Sequence, residues 1–140
     1  RKIIDMLRYT ARQHIFSTSL PTSIIAGADK ALEIIERSKT LIENIQQKAR
    51  QVRHTLSNLG FDTGLSESQI IPIFIKDEIK LQKIQRKLFE NGIIIHIARH
   101  PVVPLKQARL RLSLTTDHTD KQINKFIETL EKHSKKLGII

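Results

Sequence analysis

The run Arg109-Leu110-Arg111-Leu112-Ser113-Leu114 alternates charged or hydroxyl residues with leucine over six positions. In an extended strand successive side chains point to opposite faces, so Arg109, Arg111, Ser113 and Thr115 share one face and Leu110, Leu112 and Leu114 the other. Arginine grips a carboxylate or phosphate through a planar fork of permanent charge, which makes this polar face a candidate anion clamp. An exposed sheet face that carries arginine for solubility has the same spacing. A second candidate is Ser17-Thr18-Ser19, three hydroxyls just ahead of a helix whose first turn accommodates Pro21. The unpaired N–H groups and dipole of a helix start favour phosphate there, although Ser and Thr also serve as ordinary helix caps.

Other chemistry finds less support. His96 and His100 are four apart but fall on a strand and the loop after it, so they share no helix face, and no metal site is expected. His118 and His133 have no partner at short range in the sequence and read as surface residues. There is no cysteine, which excludes disulfides, thiolate catalysis and Cys-based zinc sites. No Gly-rich phosphate loop, nucleophile elbow or paired-carboxylate motif is present. The excess of 24 basic over 14 acidic residues gives a net charge of +10 and raises the question of a polyanionic partner. The charges are interleaved along the chain, and one tyrosine and five phenylalanines make a poor base-stacking platform, so nucleic acid is not the expected partner. Apolar residues make up 39% of the chain, yet no run approaches the ~18–20 needed to span a membrane. Arg1–Arg12 lacks the apolar core of a secretory signal, so a cytoplasmic location and a start in mid-protein are expected.

The elements that must position these residues follow from periodicity. Ile3, Ile4, Leu7, Ala11 and Ile15 predict a helix from Arg1 to about His14. Ile24, Ile25, Ala28, Ala31, Leu32 and Ile35 predict a second, and Leu41, Ile45, Ala49, Val52, Leu56 and Leu59 a third that stops at Gly60. Ile70–Ile75 reads as a strand in which Pro72 marks an edge or an early position, and Asp77 can cap the next helix. Asn91-Gly92 ends that helix ahead of a strand over Ile93–Ala98. After the alternating strand, Thr119 and Gln122 have capping-box spacing for a last helix ended by Gly138. The sum is an α+β fold: N-terminal helices followed by a β-α-β-β-α small domain, its largely antiparallel sheet covered by helices on one face.

Several of these segments, in this order, resemble the C-terminal part of the α-oxoamine synthases. They are Ile15-Phe16-Ser17-Thr18-Ser19-Leu20-Pro21, Ile70-Ile71-Pro72-Ile73, Gly92-Ile93 leading to His100-Pro101-Val102-Val103-Pro104, Ala108–Thr115, and His118-Thr119. The resemblance implies a fold-type I enzyme that uses pyridoxal 5'-phosphate (PLP) and works as a homodimer. Residues 1–37 would form a helical lead-in and interdomain helix, and residues 38–140 the small domain. The catalytic Schiff-base lysine would lie outside this chain, leaving the fragment inactive alone. Arg111 would hold the amino acid's carboxylate, with Val102 near the substrate entrance, and Ser17 and Thr18 would reach the cofactor phosphate of the other subunit. Arg109 would serve an interface or support Arg111. The implied reaction condenses an amino acid with an acyl-CoA to an α-amino ketone, releasing CoA and CO2. Thr22 and Leu105-Lys106 depart from the family pattern and leave the acyl preference open. A class I/II aminotransferase small domain, or a basic polyanion-binding module, are the competing readings.

Overall fold

The computed structural model describes residues 1–140 and divides into two compact units, Arg1–Lys39 and Thr40–Ile140. The first unit holds α1 (Lys2–Thr10), α2 (Arg12–Ile15) and α3 (Thr22–Arg37). The single helix expected to reach His14 is thus two, because Ala11 takes an extended conformation at φ −75°, ψ 110°. Alanine is the best helix former, so the break is not an effect of propensity. None of the three helices buries a residue, and Ile3, Ile4, Leu7, Ile24, Ile25 and Leu32 are all exposed.

The second unit carries the core. Its elements are α4 (Lys39–Asn58, beginning at the unit boundary), β1 (Ile70–Phe74), α5 (Glu78–Glu90), β2 (His96–Ala98), β3 (Arg109–Ser113) and α6 (Asp120–Lys136). The sheet order is β1-β3-β2, with both outer strands antiparallel to the central one. Ile71, Ile73 and Leu110 leave the sheet on one face and are fully buried with Leu81, Ile84 and Leu88 of α5, Leu56 of α4 and Leu130 of α6. Each such side chain contributes roughly 1.5–3 kcal/mol from burial, which fixes the strand registers, since a slip by one residue would turn every leucine of β3 outward.

Local chemistry sets the boundaries. Asp77 caps α5, its carboxylate accepting from the Ile79 and Lys80 N–H groups. Thr119 and Gln122 form the capping box of α6. Pro72 lies in an edge strand: Phe74 N–H donates outward to Asp62 O while Ile75 N–H donates to Ala108 O, so Pro72 stands where an N–H would face away from β3. At the end of α5, Gly92 at φ +77° lets Ile93 N–H reach back to Leu88 O, a Schellman closure. That closure shortens the strand expected over Ile93–Ala98 to His96–Ala98, because the Ile93 N–H is spent on the helix end; Ile95, just ahead of the strand, has its carbonyl accept from Gln85 Nε2 of α5.

Candidate functional site

In the sheet the alternation of β3 becomes a two-faced surface. Leu110 and Leu114 are buried, Leu112 is half-buried, and Arg111 and Ser113 are exposed on the opposite face. The two arginines differ in what they touch. Arg109 stacks its guanidinium 4.5 Å from the centre of the Phe74 ring, its cross-strand neighbour, and donates from Nε and Nη2 to the Gln107 backbone and side-chain oxygens. Arg109 therefore braces β3 against β1. Arg111 enters none of the chain's ion pairs, and its cross-strand neighbours on the same face are Pro72 and His96, neither of them acidic. A guanidinium left unpaired on a sheet face, beside an imidazole, is disposed to take an external anion.

Arg111 also lines a cleft of about 530 Å3, together with His96, Ser113, His118 and Lys125 and with the buried Phe126. The cleft exists because β2 ends at its pairing with Arg111, leaving the second half of β3 without a strand on that side. Val102 lies apart from the cleft lining. It is 82% exposed in the loop between β2 and β3, where its N–H donates to Arg99 O.

Ser17 and Thr18 sit in the exposed connection between α2 and α3, within the first unit. The N-cap of α3 is Pro21, and no side chain caps that helix. The ordinary capping role open to these hydroxyls is thus not taken, and both remain available to a ligand. A run of hydroxyls near a helix start is a donor set suited to phosphate oxygens.

Two contributors escaped the sequence. His118 is not an unpartnered surface residue: its Nδ1 accepts from Thr115 N–H at 2.9 Å, with Thr115 Oγ1 3.0 Å away. Lys48, from α4, donates to the carbonyls of Thr116 and His118. The three-residue spacing from Thr115 to His118 was the available signal, whereas the Lys48 contact spans about seventy residues and the pairing of His96 with Arg111 appears only once the register is known.

The family described as aminotransferase class I and II matches residues 1–130. The chain is 36% identical over all its residues to an 8-amino-7-oxononanoate synthase of Thermoanaerobacter pseudethanolicus and 34% identical to a 2-amino-3-ketobutyrate coenzyme A ligase of Escherichia coli K12. It spans 35% of the length of each. A serine palmitoyltransferase structure solved with PLP superposes on 98% of this chain, using 35% of its own length, at a TM-score of 0.85 and 25% identity. The chain belongs to the aminotransferase class I and II family.

Proposed function

We propose that this chain is the C-terminal part of a PLP-dependent acyltransferase that condenses an amino acid with an acyl-CoA, giving an α-amino ketone, CoA and CO2. The observation that carries the reading is Arg111: a permanent cation, unpaired within the chain, on the open face of a sheet in a chain with this family's sequence. Arg111 holds the amino acid's carboxylate through two parallel N–H···O bonds. A carboxylate fixed in this way sets the orientation of the bonds at Cα and so decides which of them is presented for cleavage. Val102, exposed in the loop after β2, borders the substrate entrance.

Ser17 and Thr18 donate to the cofactor phosphate of the partner subunit, so the enzyme is a homodimer. The exposed hydroxyls, none of them spent on capping α3, fit that end of PLP. When bound, PLP supplies an electron sink for charge developing at the substrate Cα. The Schiff-base lysine comes from the part of the protein outside these residues. Residues 1–37 form the helical lead-in and interdomain helix, and residues 38–140 the small domain. No helix of the chain is long and apolar enough to cross a membrane, and a cytoplasmic enzyme is the fitting setting.

The family description favours one alternative, an aminotransferase with the same arginine clamp. One assay on the full-length protein separates the two. Given an amino acid and an acyl-CoA, the acyltransferase releases free CoA thiol and needs no keto acid. Turnover that requires a keto acid and leaves the thioester intact would replace this reading with the aminotransferase.

A further inference from the structure

β3 is flanked on both sides over only part of its length. β1 runs beside it from Arg109 to Ser113, whereas β2 accompanies it only from Arg109 to Arg111. Leu114 N–H donates to Gln69 O on the β1 side, so by the alternation of an antiparallel ladder Arg111, Ser113 and Thr115 turn their backbone groups to the β2 side. Beyond Arg111 no strand stands there to receive them. At Thr115 the receiver is an imidazole: His118 Nδ1 accepts the Thr115 N–H, and Lys48 fastens the same turn to α4 through the Thr116 and His118 carbonyls. An Nδ1 that accepts a hydrogen bond fixes the neutral tautomer, with the ring proton on Nε2.

We propose that His118 is a positioning residue for Arg111. By standing in for the missing strand partner at Thr115, the imidazole holds the second half of β3 in line. The Arg111 guanidinium, which lines the same cleft, is thereby presented in one orientation to its carboxylate. This rests on the carboxylate-holding role given to Arg111 above and adds a residue whose action passes entirely through it.

The test is steady-state kinetics of the full-length enzyme with His118→Phe, His118→Asn, Arg111→Ala and the double variant. Phenylalanine keeps the ring but loses the acceptor, and an orphaned backbone N–H is costly. The expected result is an amino-acid KM raised on the order of tenfold in His118→Phe with the acyl-CoA KM unchanged. Asparagine, whose Oδ1 occupies the place of Nδ1, should return the amino-acid KM to within about twofold of wild type. Since His118 acts through Arg111, the double variant should be no worse than Arg111→Ala. If Arg111→Ala raises the amino-acid KM but His118→Phe does not, the His118 proposal is overturned and the Arg111 role stands. An unchanged KM in Arg111→Ala removes both. Should His118→Phe fail to fold, His118→Gln replaces it, since glutamine puts its amide oxygen one bond farther out. Equal KM values for the Asn and Gln variants would then overturn the proposal.

Discussion

Two arginines two residues apart on one strand face differ in what they touch. Arg109 is occupied by the Phe74 ring and by Gln107, so it belongs to the fabric of the sheet. A cation over an aromatic ring at a partly exposed site contributes about 0.5–1 kcal/mol. Arg109→Ala should therefore lower the unfolding free energy by about that amount in urea denaturation while leaving the full-length enzyme's amino-acid KM unchanged. A raised KM with unaltered stability would mean that the two roles have been exchanged. Arg111, having no partner to lose within the chain, should show the reverse pattern.

At the scale of elements, caps and closures determine where the site-bearing strands begin and end. The Asp77 carboxyl is held below the ordinary aspartate range, chiefly by the hydrogen bond from the Lys80 N–H and with help from the Ile79 N–H and the charges of Lys80 and Lys83. A carboxyl whose pKa is depressed in the folded state stabilises the fold above its unfolded pKa, about 3.9, and loses that contribution as pH falls through the folded value. Asp77→Ala should thus melt below wild type at neutral pH, and the gap between the two melting temperatures should close as the pH is lowered past about 4 into the acid range. A gap that persists at pH 2 would contradict the role of the ionised cap. Much of this level was legible in the sequence. Asp77, the Thr119–Gln122 box, the edge position of Pro72 and the leucine alternation of β3 are local signals, each readable within a few residues. The early break at Ala11 and the late start of β2 were not. The first runs against propensity, and the second depends on Ile93 being claimed by the closure of α5, a competition that the apolar run Ile93–Ile95 conceals. The alternation of β3 was legible, but the separation of its two arginines into a bracing Arg109 and a free Arg111 depends on the β1 register that sets Phe74 opposite Arg109.

Across the whole molecule the two units differ in kind. Every buried hydrophobic residue lies between Ala49 and Leu130, whereas α1, α2 and α3 bury none and leave their apolar stripes exposed. Hydrogen exchange on the 140-residue chain should find slow amides in β1, β3, α5 and the middle of α6 and fast ones throughout α1 to α3, because local stability follows buried apolar contact. Uniform protection across both units would contradict this division. The exposed hydroxyls of Ser17 and Thr18 belong to the first unit and the free guanidinium of Arg111 to the second, in a chain spanning 35% of its relatives' length; the acyltransferase proposal gives each of them its own ligand. The most direct test of that account is thiol release by the full-length protein supplied with an amino acid and an acyl-CoA, comparing wild type with Arg111→Ala. Loss of a bidentate, charge-assisted contact is worth about 1.5–3 kcal/mol, so the expected result is CoA release by the wild type and an amino-acid KM on the order of 10- to 100-fold higher in the variant. A wild-type protein that releases no CoA, or an Arg111→Ala variant with an unaltered amino-acid KM, would contradict it.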